Sequence, residues 1–304
     1  MPLSRIGARL LPRFRSRAVR LMAGGMLNWR ILLGGGKRGS DRPRAVTAVP
    51  RHDRLLEAAL ASDEIEVRFQ PQIEPLSGRV AGVEALARWA GAATPEALFA
   101  RAEAAGLSER LSRTIQRKAL RMAAGWTGAL AGLRLSVNIL PRDLDRSGFE
   151  SWFLKEIAAA GLDPRRVTAE IVESALLSDR PAVALRLARL RTQGVEVAVD
   201  DFGTGYANLA YLTSLPLDAI KIDRAMVADL VGGSRDRIVV KAMISMAREL
   251  GLKVVVEGVE SLAQLELLSD WGCDLYQGFL GAGALDEAEL ARFVITSSAL
   301  ADAA

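Results

Sequence analysis

The chain contains very little cysteine and histidine, two residue types on which many enzyme sites depend. Cys273 is its one cysteine and His52 its one histidine among 304 residues. A single cysteine excludes an intramolecular disulfide and a zinc site built from several thiolates, and it suits a reducing cytoplasm. His52 lies outside every motif described below, which excludes a histidine-based triad or a histidine-rich metal site. We therefore expect a cytoplasmic protein in which any metal ion is bound by oxygen atoms.

Long apolar runs are also missing. No stretch reaches the ~18 uninterrupted apolar residues of a membrane span. The longest candidate, LMAGGMLNWRILLGGG at 21–36, is interrupted by Arg30 and contains several glycines. The case for a secretory signal is weak, because arginines are spread through this segment instead of being confined to its start. The sequence therefore predicts no transmembrane helix.

Acidic residues are nearly missing from the start of the chain. Residues 1–51 hold 12 Lys and Arg but only one acid, Asp41; the whole chain has 40 basic and 36 acidic residues, which leaves 28 and 35 for residues 52–304. Because the body is acidic, we do not expect it to bind a nucleic-acid polymer, whereas the basic segment could contact any polyanion.

Two interpretations of the basic segment stay open. Within 3–22, apolar residues recur at near-helical spacing opposite arginines, so residues 1–30 could lie on an anionic surface and hold the protein at the inner membrane. Pro12 would damage such a helix, and a disordered basic tail is at least as well supported. Residues 34–50 have the composition of a linker. We therefore predict a basic segment with linker at 1–50, a folded domain at 51–298 and a disordered end at 299–304.

Strand-like and helix-like patterns alternate through the folded domain. The strand-like segments are rich in valine, isoleucine and leucine and lie at 64–73, 80–89, 132–140, 166–172, 195–200, 218–223, 252–259 and 273–279. Eight strands with helical crossovers in ~240 residues favour an α/β fold of the TIM (β/α)8 barrel type over an open doubly wound sheet.

Polar side chains recur at or near the ends of seven of these strands. In a parallel barrel these ends form one rim, where the active sites of this fold are built. Each residue alone has an ordinary explanation, such as a surface acid for Glu84, a turn former for Asn138 or a solvated charge for Lys221. Together, carboxylates and an amide oxygen suit Mg²⁺ or Mn²⁺, and adjacent aspartates can bridge two ions. The set is Glu84, Asn138, Glu170, Asp200, Asp201, Lys221, Glu257 and Gln277.

Eight short stretches within residues 52–285 follow one another at characteristic spacings. They are FQPQI at 69–73, EALARW at 84–89, SVNILP at 136–141, EIVES at 170–174, DDFGTGY at 200–206, LPLDAIKIDR at 215–224, EGVE at 257–260 and QGF at 277–279. Together they make residues 52–285 resemble the EAL domain family of cyclic di-GMP phosphodiesterases. The resemblance implies an EAL-type TIM barrel whose first strand runs antiparallel to the rest. It also implies metal-dependent hydrolysis of one phosphodiester bond of cyclic di-GMP, which gives linear pGpG, and a homodimer.

The resemblance further implies which residues bind metal and perform the chemistry. It predicts two divalent cations, Mg²⁺ or Mn²⁺. Lys221 would contact the attacking water and a phosphate oxygen, and Glu257 would be the general base. The ligands of the first ion would be Glu84, Asn138, Glu170 and Asp200, with Asp200 bridging to a second ion that Asp201 also binds.

The resemblance also implies which residues bind the substrate and which residue anchors one loop. Gln70, Arg88, Asp223 and Gln277 are the expected substrate-binding residues, with Gln277 also ordering water at the metals. Glu173 is expected to anchor the loop 202–208.

The sequence departs from the family pattern in three places, of which 280–285 is where contacts with the guanine are expected. Ala207 and Asn208 replace two serines that many relatives have, Ala100 replaces a common proline, and residues 280–285 lack the usual basic residue and proline. None of these removes a predicted metal ligand. Two alternatives stay open: a catalytically silent cyclic di-GMP receptor or protein-interaction module of the same fold, and a phosphodiesterase for another nucleotide.

Overall fold

The computed structural model describes residues 52–173, 175, 180–203, 210–233 and 235–302. The predictions for residues 1–50, and those for Ala207 and Asn208, lie outside these ranges. Among the helices that the structure describes, none has the length and apolar character needed to cross a bilayer.

Eight strands close into a barrel in chain order, which confirms the predicted TIM barrel. β1 runs antiparallel to both of its neighbours, β2 and β8, and the other neighbouring pairs are parallel. The antiparallel first strand is therefore confirmed. The strands are β1 Glu66–Ile73, β2 Val80–Arg88, β3 Arg134–Ile139, β4 Val167–Val172, β5 Glu196–Phe202, β6 Ala219–Ile222, β7 Lys253–Val256 and β8 Leu275–Tyr276.

Helices surround the barrel and supply its crossovers. Single turns of 3₁₀ helix at 128–130 and 164–166 precede β3 and β4. The helices are α1 Arg54–Ala61, α2 Pro95–Ala104, α3 Ser108–Ala124, α4 Pro141–Asp145, α5 Phe149–Ala160, α6 Arg180–Thr192, α7 Ala210–Ser214, α8 Arg224–Val227, α9 Arg235–Glu249, α10 Leu262–Trp271 and α11 Glu287–Ala301.

Alternation along the strands separates an apolar layer from a polar barrel interior. Successive side chains of a strand point to opposite faces. In β4, Val167, Ala169 and Ile171 belong to the apolar core between strands and helices. The intervening residues Thr168 and Glu170 line the barrel interior instead. Strands β3, β5 and β6 show the same alternation. In each of them, every second residue packs in the apolar core and the residues between them line the barrel interior.

The structure adds detail at the predicted C-terminal end and at one site residue. Within the end predicted at 299–304, α11 continues to Ala301 and Asp302 forms an ion pair with Arg79. Alanine and leucine at these positions favour helix, which accounts for the extension. Residues 303–304 lie outside the described ranges, so the predicted domain boundary stays a prediction. Glu84 lies in the middle of β2, because β2 pairs with β1 along its whole length but with β3 only over residues 82–85.

Candidate active site

Asp200 and Asp201 both reach the rim of the barrel because β5 has a bulge there. The register of β5 against β6 shifts between Val199 and Phe202, so three steps along β5 face two along β6. A bulge interrupts the alternation of side chains. The backbone of Asp201 has a φ of 57°, a left-handed conformation that aspartate tolerates better than most residues. As a result, one oxygen from each aspartate lies within 4.8 Å of an oxygen of Glu257.

Lys221 lies at the centre of the site and is fully buried. It projects from β6 into the barrel interior, where its ammonium group contacts four carboxylates. The distances from Nζ are 2.8 Å to Oε2 of Glu170, 3.2 Å to Oε2 of Glu84, 3.2 Å to Oδ1 of Asp200 and 2.7 Å to Oε1 of Glu257. The four acids come from β4, β2, β5 and the residue after β7, so one cation joins elements from around the barrel.

Two amide side chains orient the carboxylates of this cluster. Asn138 Nδ2 donates to Oε1 of Glu84 at 2.8 Å. Gln277 Nε2 donates to Oε2 of Glu84 at 2.8 Å and to Oε1 of Glu257 at 3.3 Å. Both oxygens of Glu84 are therefore held by donors, which fixes the plane of its carboxylate.

Backbone hydrogen bonds place Glu257 and Gln277 just beyond the ends of their strands. The N–H of Glu257 donates to the carbonyl of Ile222, and the N–H of Gln277 donates to that of Val256. Gly278 then turns the chain at a φ of 155°, where a Cβ atom would lie 2.3 Å from the carbonyl oxygen of Val259. Any side chain at position 278 would clash with the backbone of Val259, so this position of the QGF motif requires glycine.

The pKa values of the acids in the cluster are shifted in different directions, because burial and mutual repulsion oppose the effect of nearby donors. Burial, with the negative charges of Glu84 and Asp200, raises the pKa of Glu170 to about 8 despite Lys221. Burial likewise raises the pKa values of Asp200 and Glu257. Burial acts on Glu84 too, but Lys221 and the donors Gln277 and Asn138 outweigh it and lower that pKa.

Asp201 lies nearer the mouth of the site, beside Asp223. Burial, followed by the charges of Asp200 and Asp223, raises the pKa of Asp201 to about 7. The side chain of Asp223 also caps α8, since its Oδ1 accepts from the N–H of Ala225 at 2.8 Å. Asp223 therefore has a structural role in addition to its position next to the acids.

The cluster fits divalent cations by charge and by ligand chemistry. Five carboxylates surround one lysine, so full ionisation leaves four negative charges uncompensated. Burial, and after it the charge of the neighbouring acids, raises the pKa values of Glu170 and Asp201. Divalent cations bound by hard oxygen ligands would compensate the negative charges. Two overlapping groups offer such ligands, one of Glu84, Glu170 and Asp200 and one of Asp200, Asp201 and Glu257.

The predicted substrate residues Gln70 and Arg88 flank the cluster on β1 and β2. Gln70 is the register partner of Glu84, and its Nε2 donates to the carbonyl of Ala282 at 3.3 Å. Gln70 is thereby tied to the segment 280–285 that departs from the family pattern. Arg88 Nη1 donates to the carbonyl of Ala87 at 2.8 Å, and burial lowers its pKa.

Glu173 follows β4 and is buried, with its exposed fraction at 4 %. Burial raises its pKa, and the N–H of Gly203 opposes this effect. Neither of its carboxylate oxygens has a hydrogen bond of normal geometry within the described part of the chain. Its contact with the loop 202–208 stays a prediction beyond Gly203.

Gln72 is a site residue that the sequence reasoning missed. It is 5 % exposed, and its Nε2 lies 3.3 Å from Oε1 of Glu170, 3.4 Å from Oγ of Ser136 and 3.4 Å from Oε1 of Gln277. Its position two residues after Gln70 in β1 was the available signal, because alternate residues of a strand share a face.

Comparison with known proteins identifies the class to which this barrel and site belong. Residues 53–284 match the family model of the EAL domain. The cyclic di-GMP phosphodiesterase NbdA of Pseudomonas aeruginosa is 38 % identical over 246 residues, which cover 79 % of this chain and 31 % of NbdA. The chain belongs to the EAL domain family.

Solved structures of relatives share the fold. A complex of the Pseudomonas aeruginosa MucR phosphodiesterase with cyclic di-GMP is 33 % identical, with a TM-score of 0.72 over 77 % of this chain and 97 % of that one. A calcium and cyclic di-GMP complex of Klebsiella pneumoniae BlrP1 is 27 % identical, with a TM-score of 0.64 over 79 % of this chain and 68 % of that one. The chain spans about a third of the length of the curated relatives it matches.

Proposed function

We propose that this chain is a metal-dependent phosphodiesterase that hydrolyses cyclic di-GMP to linear pGpG. The observation that carries the proposal is the buried Lys221 with four carboxylates on its ammonium group and Asp201 beside them. A buried ionic network is often no more stable than an apolar core of similar volume, so stability alone does not account for this cluster. Its position in the barrel interior favours catalysis.

The proposed mechanism assigns each part of the cluster a separate task. Glu84, Asn138, Glu170, Asp200 and Asp201 would hold two divalent cations, Mg²⁺ or Mn²⁺. When bound, such ions lower the pKa of a water molecule and neutralise charge that develops on phosphoryl oxygens.

Glu257 would take a proton from the attacking water. Burial raises the pKa of Glu257 well above its ordinary value, which makes its carboxylate a stronger base than an exposed one. Lys221, which lies 2.7 Å from Glu257, would donate to the water and to a phosphoryl oxygen. Gln277 would keep Glu257 and Glu84 in position through its amide hydrogens.

The substrate assignment is supported by the named relatives and by the residues around the mouth. NbdA is named a cyclic di-GMP phosphodiesterase, and the MucR and BlrP1 structures contain this dinucleotide. Arg88 offers a cation on the substrate side of Glu84, while Gln70 and Asp223 flank the site. Residues 280–285 differ from the family pattern, so this edge of the site lacks the basic residue and proline that the family places beside the guanine.

Product analysis of the purified chain tests the proposal. Incubation with cyclic di-GMP and Mg²⁺, followed by chromatography, is expected to show pGpG. Parallel incubations with cyclic dinucleotides that carry other bases test the alternative substrate class. Binding of cyclic di-GMP without any product, in Mg²⁺ and in Mn²⁺, would leave the receptor function in place of the enzyme.

A further inference from the structure

Gln72 occupies an unusual place between the cluster and the lower half of the barrel. The amide nitrogen shares its two hydrogens among Glu170, Gln277 and Ser136. The Nε2 atom of Gln277 donates to Glu84 and Glu257. The Oε1 atom of Gln277 therefore points away from these acids, towards Gln72, from which it accepts.

The contact with Glu170 completes the restraint of that carboxylate. Oε2 of Glu170 receives Lys221 at 2.8 Å, and Oε1 receives Gln72 at 3.3 Å. With both oxygens held by donors from different strands, rotation of the carboxylate is restricted. Without Gln72, Oε1 of Glu170 and Oε1 of Gln277 would each lose a hydrogen-bond donor. The amide of Gln277 would then be held less firmly in its orientation.

The barrel below Gln72 is hollow, so packing from below does not hold its side chain in place. A cavity of about 550 Å³ opens at the N-terminal ends of the parallel strands and reaches Gln72 and Glu170. Bulky branched residues usually fill the interior of this fold. Here the interior positions beside Gln72 on β2 to β6 are small: Gly82, Ser136, Thr168, Ala198 and Ala219. The longer side chains of Arg134, Glu196 and Lys253, which begin β3, β5 and β7, line the outer part of the cavity. Hydrogen bonds therefore fix Gln72 where packing ordinarily would.

Gly82 makes room for the amide of Gln72. The two residues are register partners across β1 and β2. A Cβ atom at position 82 would lie 3.3 Å from Oε1 of Gln72 and 3.1 Å from Cβ of Arg134. The glycine thus leaves the space into which the amide turns.

We infer that Gln72 is a positioning residue that fixes the metal-ligand face of Glu170 and the amide orientation of Gln277. The inference rests on the proposed metal-dependent function, but it concerns ion affinity in the absence of substrate. Residues that orient metal ligands typically contribute 10–100-fold to metal affinity or activity.

Titration of the protein with Mn²⁺, followed by paramagnetic resonance and calorimetry without substrate, tests this inference. Gln72→Met keeps the length and most of the volume but removes the donor, and we expect the Kd for Mn²⁺ to rise about 10–100-fold. Gly82→Ala, which crowds the amide, should raise it less. Gln264→Met is the matched control, because buried Gln264 caps α10 and donates to the carbonyl of Val227, and its hydrogen bonds go to the backbone and to Ser261 instead of to a side chain of the cluster.

The control should unfold at a lower temperature and bind Mn²⁺ as the wild type does. Unchanged Mn²⁺ affinity in both Gln72→Met and Gly82→Ala, beside normal wild-type binding, overturns the inference alone. A wild type that binds no Mn²⁺ overturns both the inference and the metal-dependent function.

Discussion

Lys221 Nζ lies 2.8 Å from Oε2 of Glu170, and each of the two side chains is 1 % exposed. The residues come from β6 and β4, which are separated by β5, so the ion pair crosses the barrel interior. Charge at this depth is costly to leave unpaired. The stability of the barrel is thereby linked to the same lysine that the proposed chemistry uses.

Lys221→Met should destabilise the metal-free protein by about 3–5 kcal/mol, the usual cost of removing one partner from a buried ion pair. Mg²⁺ should restore part of the loss, because an ion that binds only the folded state stabilises it. Urea unfolding with and without Mg²⁺ measures both effects. Lys253→Met is the control, since Lys253 pairs with Glu196 but is 51 % exposed, and surface pairs contribute about 0–1 kcal/mol. Equal metal-free stability of Lys221→Met and wild type would contradict the assigned burial.

Ca²⁺ should bind the site and inhibit turnover that Mg²⁺ or Mn²⁺ supports. Ca²⁺ is larger and accepts irregular coordination, so it would fill the oxygen site while misplacing the water. Initial rates in each ion, and in Mg²⁺ with increasing Ca²⁺, give the comparison. Turnover in Ca²⁺ as fast as in Mg²⁺ would argue against two-metal catalysis.

Asp53 should make stability fall in acid through its contacts with two helices. It caps α1 through the N–H of Leu56 and forms an ion pair with Arg101 of α2. The hydrogen bond from Arg101, with that from Leu56, lowers the pKa of Asp53 from 3.8 to about 2. A lowered pKa stabilises the folded state at pH values above 3.8, the pKa expected in the unfolded chain. This contribution is lost as the pH falls from 3.8 through about 2.

Two variants at Asp53 separate its charge from its capping role. Asp53→Asn keeps an acceptor for the cap but has no charge to lose. It should therefore flatten the dependence of stability on pH between 3.8 and about 2. Asp53→Ala should in addition cost about 1 kcal/mol at neutral pH from the lost cap. Urea unfolding over a pH series provides the measurement. An unchanged slope in Asp53→Asn would show that other acids set the acid sensitivity.

The basic segment should govern any binding to anionic membranes. Its 12 basic residues against one acid motivate this expectation. Removal of residues 1–50 should leave specific activity largely intact and abolish binding to anionic vesicles, and binding of the full chain should weaken as salt rises. Co-sedimentation of both forms at two salt concentrations decides the matter, and equal pelleting of the two would remove the membrane interpretation.

The positions of the strands could be predicted because burial imposes a simple pattern on them. Valine and isoleucine alternate with the residues of the site in β4 and β5, so the apolar pattern located both strand and site. The antiparallel direction of β1 was predicted from the resemblance alone, because an apolar pattern does not show whether neighbouring strands run parallel or antiparallel.

Features that depend on strand register or on packing could not be predicted. The bulge at Asp200 and Asp201 depends on pairing with β6, which no local pattern encodes. Gln72 was missed because its partners are 64, 98 and 205 residues away in the chain. The small residues that hollow the lower barrel lie on separate strands, so their combined effect appears only when the barrel closes.

The contrast between Glu257→Gln and Asp200→Asn separates an enzyme from a receptor. Glu257→Gln keeps the shape of the side chain but removes the base, so turnover should fall by about 10²–10⁴ while cyclic di-GMP still binds. Asp200→Asn removes the charge that both proposed ions share, so it should abolish turnover and also weaken metal-dependent binding of the substrate.

Single-turnover assays beside calorimetric titration with cyclic di-GMP, on the wild type and both variants, test the central claim most directly. The account predicts that the wild type converts cyclic di-GMP to pGpG in Mg²⁺ or Mn²⁺ and that Glu257→Gln binds the dinucleotide without comparable conversion. A wild-type protein that binds cyclic di-GMP and yields no product with either ion would contradict the account.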